Sequence, residues 1–247
     1  TLLVPQSGSR YTTHRSHRRN QNLGMNGETQ LSFEEVADRA GFLRERIRSL
    51  GGDEIGIVAV TKGFGPWALR AASGCDFQMV GESYAQELES KWSQMTNEER
   101  CSLDVHFIGG MQTNKVRKIA GIVAVWQTLD RHSLIDEIAK RAPGSSVMIQ
   151  LNLTSSETQG GCQLSEADGI VSTAREQGLR VIGAMGIGPQ GDSPIIRAAY
   201  RSLISFAEDH GLRHRSIGMT NDLEIAIESG STMVRIGTAL FGERPAR

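Results

Sequence analysis

The sequence predicts an α/β fold: one (β/α)8 TIM barrel with an extra N-terminal helix, spanning residues 31–247. Three observations carry that reading. The chain has 247 residues, close to the roughly 250 of such barrels and long enough to bury a sizeable core. Eight short apolar runs alternate with segments of helical periodicity, the pattern of a parallel sheet covered by helices. Runs such as Ile57-Val58-Ala59-Val60 and Ile122-Val123-Ala124-Val125 are apolar throughout, as strands buried on both faces are. Nothing after Ser32 reads as a linker, repeat or second domain, which favours a closed barrel over an open sheet.

Residues 1–30 read as a disordered leader or extension, with Met25 as a natural start. The segment is polar and basic, with Arg10, Arg15, Arg18 and Arg19. It lacks the apolar stretch and small-residue cleavage site of a secretory signal. A basic arm for nucleic acid is the other reading of such a run. The whole-chain formal charge of −1 supplies no field for nucleic acid or an acidic membrane.

The ordered part begins at Ser32. Ser32-Phe33-Glu34-Glu35 has the capping-box pattern. Val36, Ala40, Leu43, Ile47 and Leu50 then recur at helical spacing, and Gly51-Gly52 ends the helix. The candidate strands are 55–61, 78–81, 105–109, 122–128, 146–152, 180–186, 213–218 and 232–237. Segments with helical pattern include 84–95, 133–141, 165–177, 194–209 and 222–228.

Hydrophobic residues make up 38% and charged residues 22%, which is globular composition. No apolar run approaches the about 20 residues of a membrane span. The cysteines, Cys75, Cys101 and Cys162, are scattered without metal spacing. An odd count of scattered thiols fits a reducing cytoplasm rather than a disulfide framework.

In such barrels the chemistry sits at the C-terminal ends of the strands, and three features converge there. Lys62 directly follows the first apolar run. A lysine among apolar neighbours loses part of its preference for charge, and its neutral amine can attack a carbonyl to form an imine. The bland alternative is a lysine that snorkels to water. Ser216-Ile217-Gly218-Met219-Thr220 runs from the seventh strand to a helix start. Its hydroxyls, close-approach glycine and unpaired N–H groups suit a phosphate. A plain cap by Thr220 or Asn221, with Glu224 completing a box, uses the same residues. Arg235-Ile236-Gly237-Thr238 ends the eighth strand. Gly237 and Thr238 are candidates for the same phosphate, and an arginine on a buried strand needs a partner, such as a salt bridge at the barrel mouth. A lysine nucleophile and a phosphate cup on one rim suggest a phosphorylated aldehyde. Pyridoxal 5′-phosphate fits, and so does the sugar phosphate of a Schiff-base aldolase.

From about Phe33 to Gly242 the sequence resembles the pyridoxal phosphate homeostasis proteins, which share the alanine racemase N-terminal barrel. The resemblance rests on Val58-Ala59-Val60-Thr61-Lys62, Gly81-Glu82-Ser83-Tyr84-Ala85-Gln86-Glu87-Leu88, His106-Phe107-Ile108-Gly109, Gln112-Thr113-Asn114-Lys115, Ser216-Ile217-Gly218-Met219-Thr220 and Arg235-Ile236-Gly237-Thr238-Ala239-Leu240-Phe241-Gly242. It implies that Lys62 forms an imine with pyridoxal phosphate. It implies that Ser216, Gly237 and Thr238 hold the phosphate, with Thr220 beside them, and that Arg235 faces the pyridine nitrogen. A cation there disfavours ring protonation and leaves a weaker electron sink. The sequence departs from the family pattern at Ser83, Gly110-Met111, Gly160-Gly161, 183–188 and Thr220-Asn221-Asp222. Those departures touch fine contacts around the ring; Met185 is expected near the cofactor or in the core.

Alanine racemases carry a second, β-rich domain that supplies a catalytic tyrosine. Five residues follow Gly242 here, and Tyr11, Tyr84 and Tyr200 fall in the leader or on predicted helices. Two-sided proton exchange needs an acid–base group on each face of the substrate, and only Lys62 stands out. The expectation is therefore a monomeric cytoplasmic carrier of pyridoxal phosphate, with pyridoxal phosphate-dependent apo-enzymes as possible partners. It is not expected to be an enzyme, and no nucleic acid or membrane is involved. The alternative is a pyridoxal phosphate-dependent enzyme such as a weak amino-acid racemase.

Overall fold

The computed structural model describes residues 22–23, 29–154, 156 and 158–245. The leader expected over 1–30 falls mostly outside the described residues. Within it, Asn22–Leu23 pairs antiparallel with Thr29–Gln30.

Eight parallel strands close a barrel: β1 (Gly56–Val60), β2 (Met79–Glu82), β3 (Asp104–Phe107), β4 (Val123–Leu129), β5 (Ser146–Leu151), β6 (Arg180–Gly186), β7 (His214–Ser216) and β8 (Met233–Ile236). Each pairs with the next, and β8 pairs back to β1 with Arg235 opposite Val58 and Ile236 opposite Ala59. All eight strands lie where the apolar runs place them. The helices are α1 (Phe33–Ser49), α2 (Pro66–Gly74), α3 (Ala85–Ser93), α4 (Asn97–Cys101), α5 (Thr113–Ile119), α6 (His132–Arg141), α7 (Leu164–Glu176), α8 (Ser193–Asp209), α9 (Leu223–Glu228) and α10 (Thr238–Phe241).

Helix α1 starts on the predicted box. The Glu35 N–H donates to Ser32 Oγ at 3.2 Å, and the Ser32 N–H donates to Glu35 Oε2 at 2.8 Å. Leu50 closes the helix, and Gly51 at φ +78° turns the chain away, a left-handed position that glycine takes without a steric cost. The buried face of α1 carries Val36, Ala40, Leu43 and Ile47. It packs on α10 and α2, covering the seam where the last βα unit meets the first.

Side chains alternate across each strand, and that alternation builds the site. On β1, Ala59 points outward into the layer beneath the helices, which also holds Phe107, Trp126 and Val234. Val58 points inward to a plug shared with Met148, Met185 and Met233. Met185 is thus a core methionine, fully buried. Two residues above Val58 comes Val60, and two above that Lys62. Above Met233 comes Arg235. The inner rows of β1 and β8 therefore rise from an apolar plug to two cationic side chains.

Candidate functional site

At the C-terminal mouth of the barrel lies a cavity of about 710 Å³. Its wall includes Lys62, Thr220, Arg235, Gly237 and Thr238, together with Arg244. A cavity of about 810 Å³ lies outside the barrel along α7 and α8, where it meets Asp168, Arg201 and His210. Five of the six predicted site residues, all but Ser216, line the cavity at the barrel mouth.

Lys62 is half-buried in the turn after β1, and its neighbours in sequence are clamped from below. Thr61 Oγ1 donates to Glu82 Oε1 at 2.6 Å, and the Gly63 N–H donates to Glu87 Oε1 at 2.6 Å. Lys91 Nζ ties these groups together. It donates to the Thr61 carbonyl at 2.8 Å and to Glu82 Oε1 at 2.7 Å, and lies 2.6 Å from Glu87 Oε1. Glu82 and Lys91 are both buried, so each carries the other's charge out of water. Burial holds the Lys62 amine below the usual lysine range, reinforced by Arg244 and Arg235 and opposed by Glu82 and Glu87. The direction favours a neutral, nucleophilic amine. Arg244 reaches this spot by lying against Gly63: a Cβ there would stand 3.1 Å from Arg244 Cδ.

Arg235 is buried and makes no ion pair with a carboxylate among the described residues. The salt bridge, the alternative reading for Arg235, is absent among the described residues. Instead Nη1 donates to the Ser216 carbonyl at 2.6 Å and to Ser216 Oγ at 2.8 Å, and Nη2 donates to the Gly186 carbonyl at 2.8 Å. Burial pulls its pKa down to about 10, so it remains a cation at neutral pH. Its charge is offset at hydrogen-bond range by carbonyl and hydroxyl dipoles and at longer range by Asp222, and it lines the cavity.

Ser216, expected among the phosphate contacts, is fully buried behind Arg235. Its hydroxyl donates to Gln127 Oε1 at 2.8 Å. The helix cap, the alternative reading for Thr220 and Asn221, does not form. Asp222, not Thr220 or Asn221, is the N-cap of α9, and no side chain caps it. The reason is that Asp222 is occupied elsewhere. Its Oδ1 accepts the Met219 N–H at 2.6 Å, and its Oδ2 accepts the Tyr200 hydroxyl. These bonds fold the 218–222 loop so that Thr220 lines the cavity. Gly218, at φ +99°, permits that turn; a Cβ would stand 2.4 Å from Ala226 Cβ. The Thr220 and Thr238 hydroxyls have no hydrogen-bond partner among the described residues, so both are open to a ligand.

The structure thus brings Lys62, Thr220, Arg235, Gly237 and Thr238 onto one wall and sets Ser216 behind it. Sequence reasoning missed Gln127, Lys91, Asp222 and Arg244. The available signal was parity: Val125 and Gln127 share a strand face, so a polar residue was due inside the barrel beyond Val125.

Residues 38–245 match the family of the alanine racemase N-terminal domain. A pyridoxal phosphate homeostasis protein of Aquifex aeolicus is 35% identical over 200 residues, covering 76% of this chain and 86% of the relative. The protein of the same name from Escherichia coli is 35% identical over 207 residues, covering 78% and 87%. The fold is also that of PipY from Synechococcus elongatus, a structure with PLP bound. It has a TM-score of 0.74 at 23% identity, covering 84% of this chain and 100% of PipY.

Proposed function

The chain belongs to the pyridoxal phosphate homeostasis protein family, and from that premise we propose that it holds pyridoxal 5′-phosphate as a Schiff base on Lys62 and acts as an intracellular carrier or buffer of that cofactor. The observation that carries this reading is a single cavity wall with a lysine, a buried arginine without an ion pair among the described residues, and two open hydroxyls. The volume suits a ligand of this size. When bound, the cofactor supplies an aldehyde carbon to the Lys62 amine. Thr220, Gly237 and Thr238 would hold its phosphate, and Arg235 would serve its ring nitrogen. A fixed cation at that nitrogen disfavours its protonation, which suits storage better than carbanion chemistry. Residues 31–247 form the cofactor-binding domain. The protein works as a monomer in the cytoplasm, with pyridoxal phosphate-dependent apo-enzymes as recipients and without nucleic acid or membrane. Among the described residues no helix is long and apolar enough to cross a membrane.

A racemase needs a second proton carrier opposite Lys62. Tyr200 lies against the cavity wall, since a Cβ on Gly188 would stand 2.7 Å from its hydroxyl. The phenol is spent on Asp222, and burial together with that carboxylate pushes its pKa up, away from the range useful at neutral pH. The carrier reading therefore stands first. Loaded protein mixed with amino acids in deuterium oxide is expected to show no α-proton exchange above that of free cofactor. Exchange that disappears in Lys62→Ala would establish the racemase instead.

The depressed pKa of Lys62 has a kinetic consequence. Only the neutral amine reacts, and below the pKa its fraction falls about tenfold per pH unit. Arg244 lowers that pKa, so Arg244→Gln is expected to raise it. The pH profile of cofactor uptake moves upward and uptake at neutral pH slows several-fold. Stopped-flow absorbance between pH 6 and 9 reads the shift; an unmoved profile excludes this role for Arg244.

A further inference from the structure

Behind Arg235 runs a chain of hydrogen bonds whose donor order follows from the guanidinium at one end and the orientation of the Gln127 amide in the middle. A guanidinium only donates. Arg235 Nη1 lies 2.8 Å from Ser216 Oγ, so that oxygen accepts. The one hydroxyl proton of Ser216 then goes to Gln127 Oε1 at 2.8 Å. The Gln127 amide nitrogen faces away, 2.6 Å from His106 Nδ1 and 3.3 Å from Met233 Sδ. His106 Nδ1 must accept, which leaves the imidazole proton on Nε2. Burial, with a smaller contribution from His214, keeps that ring neutral by lowering its pKa to about 4. His106, Gln127 and Ser216 are all buried, and β3, β4, β7 and β8 each contribute one link.

This order of donors decides what Ser216 can do. A phosphate dianion accepts hydrogen bonds. The only proton that Ser216 Oγ carries is committed to Gln127, and Ser216 lies behind Arg235 rather than on the cavity wall. We propose that His106, Gln127 and Ser216 are positioning residues that fix the Arg235 guanidinium at the cavity, and that Ser216 makes no contact with a bound phosphate. The chain reaches the ligand only through Arg235, and so acts on the ring end of the molecule. The proposal rests on the cofactor reading above.

The test compares two ligands, pyridoxal 5′-phosphate and 5′-deoxypyridoxal, which lacks the phosphate. Dissociation constants come from absorbance titration of wild type, Ser216→Ala, Ser216→Thr, Gln127→Met and Thr220→Ala. Ser216→Ala and Gln127→Met are expected to weaken both ligands by the same factor, about tenfold, the size expected for a lost bond to a charged group. Their ratio of constants then stays at the wild-type value. Ser216→Thr keeps the hydroxyl and binds like wild type. Thr220→Ala weakens the phosphorylated ligand alone, which shows that the ratio reads phosphate contact. A loss in Ser216→Ala confined to pyridoxal 5′-phosphate overturns the proposal, as does unchanged binding in Gln127→Met, which leaves Ser216 in place. Wild-type protein that takes up neither ligand is a different result: it removes the cofactor reading and the role of the chain together.

Discussion

Lys91→Met is expected to destabilise the fold by about 3–5 kcal/mol at neutral pH, the cost of leaving a buried carboxylate without its cation. Lys91 is 3% exposed and Glu82 is fully buried. Lys91 Nζ and Thr61 Oγ1 both hold Glu82 Oε1, while Glu82 Oε2 has no hydrogen-bond partner among the described residues. Burial already raises the pKa of Glu82 above the ordinary carboxylate value, and Lys91 and Thr61 oppose that rise. The sign of the pH dependence follows. A group whose folded pKa is raised contributes stability below its unfolded pKa, near 4.5, and that contribution is lost as pH rises through the folded value. Removing Lys91 raises the folded value further. The deficit of the variant should therefore be greatest at pH 8 and shrink as the pH falls towards 5. Urea unfolding at the two pH values measures it; an equal deficit at both would show that Glu82 is not the group responsible. Lys91→Met combined with Glu82→Met should recover most of the loss, because an apolar pair of similar volume carries no charge into the interior. The single variant also frees the Thr61 carbonyl beside Lys62, so looser cofactor retention should accompany its lower stability.

The barrel was legible because parallel strands buried on both faces write themselves as contiguous apolar runs. Ile57-Val58-Ala59-Val60 needs no partner to be recognised. Lys62 stood out as the first charged residue beyond such a run, and Arg235 as a charge within one. Thr220, Gly237 and Thr238 were legible as small or hydroxylated residues at strand ends. The supports of these residues were not. Ser216 and Gln127 are 89 residues apart in sequence, and Lys91 meets Thr61 only once α3 has folded back over the first turn. Asp222 read as one more helix-start residue, although it fixes the 218–222 loop through Tyr200 and Met219. Ser216 shows the limit most clearly. Its residue type and strand-end position suit a phosphate, but parity turns it inward, where the Arg235 side chain covers it. Short range patterns locate strands and their exits; which inward side chain reaches the cavity depends on which neighbour lies above it.

The most direct test of the central claim is the absorbance spectrum of the protein with pyridoxal 5′-phosphate, before and after borohydride, for wild type and Lys62→Ala. Lys62 is the only lysine on the cavity wall among the described residues, and its amine is displaced towards the neutral form. Imine formation at that amine gives a role to the lysine that the wall carries beside Arg235 and Arg244. Lys62 makes no hydrogen bond or ion pair among the described residues, so the alanine variant should keep the wild-type unfolding midpoint. Wild type is expected to show an imine band that borohydride abolishes, leaving a cofactor label on the peptide that contains Lys62. Lys62→Ala should show neither band nor label. An unlabelled wild type, or a label that persists in the variant at another lysine, would contradict the account.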